Sequence, residues 1–360
     1  MRVLFFSFFS FLFLPFSVFA SNMPFDSYIV RDIDSGRVFY EKASGVRRLP
    51  ASTTKIMPAI VGIENSNLSD VVRVGNEILT MDGTNVYLEV GENILMQDLL
   101  YGLMLRSGND ASMVIARHCG GNINNFVKLM NDKARSLGLH NTVFNNPSGL
   151  DDYEKNYSTV SDLSIIYSYA YNNEDFKKIV GTKVYKTYSD KKSYSFSNRS
   201  DILSMYDKCT GGKTGYTPDA GRLLVSSASN NDLNIVIVSA GSDYGYTNHI
   251  NMYENIFSKY SNYLILDKGD FSVDSNLDGD LYIKNSFYYP LSDSEVDKVF
   301  KKIVFNKRKN GVVGEVLVYL DDEVIHKENV YLKKERGKIS FFDKVRDFFD
   351  FSWLNLKNGL

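Results

Sequence analysis

Gly211-Gly212-Lys213-Thr214-Gly215-Tyr216-Thr217 is the stretch on which two folds part company. A Gly-Lys-Thr run belongs to a phosphate-binding P-loop when another glycine stands five residues before its own glycine, with a strand ahead and a helix behind. Position 207 is Asp, and the chain beyond Thr217 is strand-like: 223–228 and 233–240, joined by a polar turn at 229–232. The P-loop is rejected. The glycines instead suit close backbone approach to a ligand. Lys213 and Thr214 offer a cation and a hydroxyl to a carboxylate.

On either side of this stretch the pattern is mixed. Residues 28–30 and 38–40 flank the turn Asp34-Ser35-Gly36 and read as a hairpin. Residues 96–118 carry Met96, Leu99, Leu100, Leu103, Met104, Met113, Val114 and Ala116 at helical spacing, and 123–137 read as a helix stopped by Gly138. Helices enclosed between strands predict an α+β domain over 21–262. From about 263 to 336 the character changes to short alternating runs at 271–273, 281–283, 302–305, 312–319, 324–326 and 330–332. Turn signals such as Asp278-Gly279-Asp280 and Asn310-Gly311 separate them, which predicts a small all-β module.

Both ends read as addresses. Arg2, an apolar run over 3–19, and Val18 and Ala20 at the −3 and −1 positions predict a signal peptide over 1–20, cut before Ser21. An uncleaved anchor is the alternative. No cysteine follows the run, so a lipoprotein is excluded. At the other end, Phe341, Phe342, Val345, Phe348, Phe349, Trp353 and Leu356 share one helical face, with Asp343, Asp347 and Asp350 opposite, Phe351 and Leu354 breaking the pattern, and Lys333, Lys334, Arg336 and Lys338 just upstream. A helix over 337–360 would suit a membrane interface, or would dock on its own domain.

The 360 residues carry 41 basic and 43 acidic side chains, a net charge of −2, so no general field favours nucleic acid. Hydrophobic residues at 44% and charged residues at 23% exclude wholesale disorder and a polytopic membrane protein. Cys119 and Cys209 are too few for a disulfide scaffold or a cysteine zinc site, though one bridge stays open. His118, His140, His249 and His326 are scattered, without zinc-site spacing.

Two further motifs carry chemistry. In Pro50-Ala51-Ser52-Thr53-Thr54-Lys55, Ser52 and Lys55 are three apart and share a face if Ser52 opens a helix. A partly desolvated lysine can take a serine's proton and make it a nucleophile. The plain alternative is a capping serine and an exposed lysine. Pro58 is expected to kink that helix. In Ser107-Gly108-Asn109, after a helix ending near Leu105, a hydroxyl and an amide can face one cleft, or form an ordinary turn.

Each motif is weak alone, but the ordered triple of Ser-x-x-Lys, Ser-x-Asn and Lys-Thr-Gly is specific. With Arg48-Leu49-Pro50-Ala51-Ser52, Asn145-Asn146-Pro147-Ser148-Gly149-Leu150, Tyr157-Ser158-Thr159 with Asp162, and Ala220-Gly221, the chain resembles the low-molecular-mass penicillin-binding proteins that act as serine-type D-alanyl-D-alanine carboxypeptidases. The resemblance implies a β-lactamase-like α+β catalytic domain, an antiparallel sheet with helices, then a small β domain and a C-terminal amphipathic anchor. It implies Ser52 as acyl-ester nucleophile, Lys55 as proton acceptor, Ser107 as proton relay to the leaving D-alanine, and Asn109 holding the substrate amide. Lys213, Thr214, Gly215 and Tyr216 would bind substrate, with the N–H groups of Ser52 and Tyr216 as oxyanion hole. The implied substrates are peptidoglycan stem peptides, the inhibitors β-lactams, and the place the outer face of the cytoplasmic membrane. No metal or organic cofactor is implied.

Some positions depart from the family pattern. Gly108 stands where a related motif has Asp, and Tyr216 where some relatives have His. Residues 243–249 hold no arginine, although relatives often place one there to help bind the carboxylate; Arg199 and His249 are the candidate substitutes. A β-lactamase or an endopeptidase would use the same residues. A non-catalytic wall scaffold would need none of Ser52, Lys55, Ser107, Asn109 and Lys213.

Overall fold

The computed structural model describes residues 23–151, 154–241, 243–271, 280–309, 311–333 and 353–356. The chain opens with the hairpin β1 (Phe25–Asp32) and β2 (Val38–Lys42), in which Val30 faces Tyr40. Asp32 closes its turn by accepting from Ser35 N at 2.7 Å, and Gly36 takes φ +76°. A 3-10 turn (Ala51–Lys55) runs straight into α1 (Ile56–Glu64). The helices α2 (Met96–Leu105), α3 (Asn109–Gly120), α4 (Ile123–Ser136), α5 (Val160–Tyr171) and α6 (Glu174–Val180) come next, and then three strands: β3 (Cys209–Thr217), β4 (Gly221–Asn230) and β5 (Leu233–Gly241). Asn231 and Asp232 both adopt positive φ between β4 and β5, the geometry that matches a hairpin turn to strand twist.

The five strands form one antiparallel sheet in the order β2-β1-β5-β4-β3, so β3 is an edge. β4 and β5 are buried on both faces and alternate with period two. Val225, Val236 and Val238 turn toward α1, α2, α3 and α5, where Ile60, Leu100, Ile115 and Tyr167 complete the core. Ile235 and Ile237 turn the other way, onto Met252, Tyr253 and Ile256 of α7 (Tyr246–Lys259). This is the expected α+β architecture, and it leaves the free edge of β3 beside the 3-10 turn that carries Ser52.

Beyond α7 the chain builds a second core. β6 (Tyr260–Leu266) pairs with a later strand, Phe287–Ser292. Between them lie β7 (Gly269–Phe271) and β8 (Leu281–Ile283), and β9 is that Phe287–Ser292 strand. After it come β10 (Val299–Lys309), β11 (Val312–Leu320) and β12 (Glu323–Leu332). The runs 324–326 and 330–332, separate in the sequence reading, are one strand, because β11 pairs along nearly the whole of β12. Arg37, just ahead of β2, joins the two parts. Its guanidinium donates to Pro290 O at 2.6 Å and to both carboxylate oxygens of Glu295, over the rings of Phe39, Tyr260 and Tyr289.

The signal peptide expected over 1–20 lies outside the described residues. So does most of the amphipathic helix expected over 337–360. The four residues of it that are described, Trp353–Leu356, form a strand antiparallel to β10 rather than a helix, meeting the open backbone groups of that edge. Among the described residues no helix is long and apolar enough to cross a membrane.

Candidate active site

The first motif folds as a 3-10 turn, not as the first turn of an α-helix. In a 3-10 turn residues i and i+3 eclipse, which sets Lys55 directly over Ser52. Lys55 Nζ lies 3.2 Å from Ser52 Oγ. Pro58 produces no kink. It stands in the first turn of α1, where backbone N–H groups have no intrahelical partner to lose. Ala51, just before Ser52, is held at φ +46°, a left-handed conformation that costs an alanine about 1–2 kcal/mol.

Lys55 is fully buried. Its amine donates to Asn109 Oδ1 at 2.7 Å and to the carbonyl of Ser148. A neutral amine has two N–H bonds and one lone pair. Asn109 and Ser148 take the two N–H bonds, which leaves the lone pair for the Ser52 hydroxyl. Burial lowers the Lys55 pKa to about 7, with Asp110 pulling it back up and Arg199 pushing it further down.

The second motif straddles a break between helices. Ser107 joins α2 to α3 at φ +64° and is buried, and Asn109 opens α3 rather than lying in a loop. Asn109 is fixed from three sides: its N–H donates to Thr84 O at 2.7 Å, its Nδ2 to Asp82 O at 2.7 Å, and its Oδ1 accepts from Lys55. Asp110 clamps the loop beyond, accepting from the N–H groups of Val86 and Leu88 at 3.0 Å each. That loop therefore forms the wall beside Asn109.

The third motif is the edge strand β3. Lys213 is 2% exposed and donates to Ser107 Oγ at 3.0 Å and Thr214 O at 2.8 Å. Burial holds its pKa well below the usual lysine range, and repulsion from Lys55 and Arg199 adds to this. Two depressed amines thus face two serine hydroxyls. Gly215 is needed for close approach. A Cβ there would stand 3.0 Å from Thr53 N and 3.1 Å from Pro50 O, so any side chain would push the strand off the Ser52 turn. Thr214 is nearly buried, and Tyr216 is 52% exposed. Hydrogen bonds and close approach bring Ser52, Lys55, Ser107, Asn109, Lys213 and Gly215 together between the edge of β3, the 3-10 turn and the start of α3, and Thr214 and Tyr216 flank Gly215 on the same strand.

The sequence reading did not assign Ser148, Gly149 or Asp110 a part in the site. A backbone carbonyl is the working group of Ser148, so its side chain gives no signal. Gly149 sits at φ +83° with its Cα against the Ala51 carbonyl, where a Cβ would clash. His249 is fully buried, on the face of the sheet opposite Lys213. Lys213 pairs with Val225 and shares its face, whereas His249 bonds Ser226 at 2.7 Å and Ser239 at 2.8 Å on the opposite face. Burial pushes its pKa down to about 3, so it stays neutral. Arg199 is exposed and donates to Thr84 Oγ1 at 3.0 Å. Cys119 and Cys209 are free thiols, each raised to about 11 by burial. Among the described residues no three His, Cys, Asp or Glu side chains gather as metal ligands.

The family described as D-alanyl-D-alanine carboxypeptidase matches residues 16–243, more than half of the chain and all of the cleft. The chain belongs to the D-alanyl-D-alanine carboxypeptidase family. It is thus a serine peptidase of the penicillin-binding class, as the motif triple implied. The carboxypeptidase DacF of Bacillus subtilis is 35% identical over 222 residues, covering 60% of this chain and 57% of that relative. The carboxypeptidase DacA of Haemophilus influenzae is 29% identical over 378 residues, 92% of this chain and 93% of the relative. Among solved structures, penicillin binding protein 5 from Haemophilus influenzae superposes with TM-score 0.75 at 26% identity, covering 88% of this carboxypeptidase-family chain and 98% of that one. That likeness extends past β5 into the second core.

Proposed function

We propose that this chain removes the terminal D-alanine from peptidoglycan stem peptides through an acyl-enzyme on Ser52. The observation that carries the reading is the Lys55 amine, buried, lowered to about 7 and 3.2 Å from Ser52 Oγ. Ser52 Oγ attacks the carbonyl between the two D-alanines while its proton passes to Lys55. The C–N bond then breaks, and the leaving amine takes the proton that Lys55 received from Ser52, relayed by Ser107, whose hydroxyl accepts from Lys213 at 3.0 Å and has its charge surroundings adjusted by it. The N–H groups of Ser52 and Tyr216 face the developing oxyanion; each such donor is worth about 10²–10³ in rate. Asn109 holds the scissile amide and orients Lys55. Lys213 and Thr214 receive the terminal carboxylate, and water releases the acyl group. A β-lactam would acylate Ser52 by the same attack. The enzyme would work outside the cytoplasm, held to the membrane surface by the segment 337–360.

The test incubates the chain and its Ser52→Ala variant with a pentapeptide ending in D-Ala-D-Ala and with fluorescent penicillin. Wild type is expected to release D-alanine and retain label, and the variant to lose at least about 10⁴-fold of both rates. Label without D-alanine release would move the reading to an endopeptidase. Rapid penicillin turnover would move it to a β-lactamase. Neither, from folded protein, would leave the scaffold.

A further inference from the structure

Away from the cleft, α4 and the loop after it form a pocket of about 580 Å³, within the size range of small-ligand sites. Asn124, Lys128, Asn131 and Arg135 stand at helical spacing on one wall, and 139–145 forms the other. Val127, Leu139 and Phe144 give it an apolar lining. Its two walls are tied together. Asn131 Nδ2 donates to Phe144 O at 2.7 Å, and its Oδ1 accepts from Phe144 N at 2.9 Å. Thr142 donates to Asp162 at 2.7 Å behind the loop. A pocket built in advance costs its ligand little ordering. The charge is one-sided. Lys128, Arg135 and His140 are exposed, and none of the lining residues is an acid. Arg135 meets Asp132 one turn back on α4, but among the described residues Lys128 and His140 have no carboxylate partner. Cations and a free amide at Asn124 over an apolar lining suit a sugar that carries a carboxylate.

The same loop leads to the catalytic residues. Phe144 stands four residues before Ser148, whose carbonyl accepts from Lys55, so the two are at most about 14 Å apart. Positive charge continues along that path. Val143 pairs with Tyr157, and Arg47, five residues before the nucleophile, lies over the Tyr157 ring at 4.7 Å. A five-residue stem cut before its last residue leaves four residues between the glycan and the broken bond. Extended, they span about 13–14 Å. The pocket therefore lies within the reach of a stem held in the cleft. We infer that it binds the peptidoglycan strand beside the stem being cut, through a sugar that carries a free carboxylate, and makes the enzyme favour polymer-borne stems over free peptide. This deepens the proposed carboxypeptidase reading and rests on it for the substrate.

The test gives the full chain two substrates, a free pentapeptide and the same pentapeptide on a soluble peptidoglycan oligomer from which some stems have been removed to free the sugar carboxylates. Wild type is expected to cleave the oligomer with the higher kcat/KM. Lys128→Glu combined with Arg135→Glu is expected to lower kcat/KM on the oligomer about tenfold, mostly through KM, and to leave the free pentapeptide unchanged. Lys178→Glu, at an exposed lysine on α6, controls for general charge and should change neither. A wild type without preference for the oligomer, an equal loss on both substrates, or the same loss in Lys178→Glu would overturn the inference. Calorimetry on Ser52→Ala reads the pocket without turnover. A stem-free oligomer is expected to bind, and to lose about tenfold in affinity both with the double Glu substitution and on methyl esterification of its carboxylates. Binding that survives either change, or binding of polyglycerol phosphate in place of the glycan, would overturn the inference. If wild type releases no D-alanine from either substrate, the carboxypeptidase reading fails, and the calorimetry still decides the pocket.

Discussion

Replacing Lys55 by glutamine is expected to slow acylation by penicillin about 10²–10⁴-fold, the usual range for losing a general base. Glutamine can still donate to Asn109 Oδ1 and the Ser148 carbonyl, so the wall of the cleft keeps a partner. It has no lone pair basic enough to take the Ser52 proton. The pH profile adds a second readout. The wild-type amine titrates near 7, so the neutral, proton-accepting form grows as pH rises through that value. The acylation rate should climb through about pH 7 and level above it, and the variant should lose that limb. In the variant, stability should move in the opposite sense to activity. The unfolded chain keeps a proton on Lys55 up to the ordinary lysine range, while the folded site releases it near 7. Between those values the unfolded state binds more protons, so wild-type stability rises with pH across that window. Below about 7 the full cost of the buried charge is present. Lys55→Gln removes it and should raise the melting temperature by several degrees at pH 6. A variant that acylates at the wild-type rate, or that keeps the acid limb, would remove Lys55 from the proton-accepting role. Stopped-flow labelling across pH and a thermal melt measure both.

Gly149→Ala is expected to cost about 2–4 kcal/mol of stability and at least about tenfold in acylation rate. Two effects add. Alanine disfavours φ +83°, and its methyl would meet the carbonyl of Ala51, the residue that sets the Ser52 turn. Gly138 separates the terms. It has φ +72° but nothing within 4 Å of an added Cβ, so Gly138→Ala should cost only about 1–2 kcal/mol and leave labelling untouched. Denaturant melts and labelling rates on the pair check this. Equal melts with unchanged labelling would show that the contact between Gly149 and Ala51 does not hold the nucleophile.

Why some of this was visible in the chain and some not is a matter of which groups do the work. The Ser52–Lys55 spacing was legible because a 3-10 turn and an α-helix both bring i and i+3 onto one face, so mistaking one for the other left the pair intact. Pro58 misled for a related reason. Its cost depends on where the helix starts, and only the structure places that start at Ile56. The antiparallel sheet was legible from the strand-like sequence after the Lys213-Thr214-Gly215 run. The Ser148 carbonyl was not, since a backbone acceptor has no side-chain signature. The Asp110 clamp looked like an ordinary first-turn acid in α3, and its bonds to Val86 and Leu88 span more than twenty residues. The burial of His249 was hidden for want of register. A single sequence does not say which face of the sheet α7 covers. Trp353 and Leu356 fit the apolar face of an amphipathic helix by spacing while Leu354 breaks it, and an open sheet edge offers the backbone of 353–356 another partner.

The mechanism requires a covalent bond at Ser52 and nowhere else. Trypsin cuts after Arg48 and Lys55, so residues 49–55 leave as one peptide. Brief exposure of the folded chain to penicillin, followed by digestion and fragmentation mass spectrometry, reads the site directly. One acyl adduct is expected, on the peptide 49–55, with fragments that place it on Ser52 rather than Thr53 or Thr54, and none in Ser52→Ala. An adduct on Ser107, or a chain that releases D-alanine and never carries one, would contradict it.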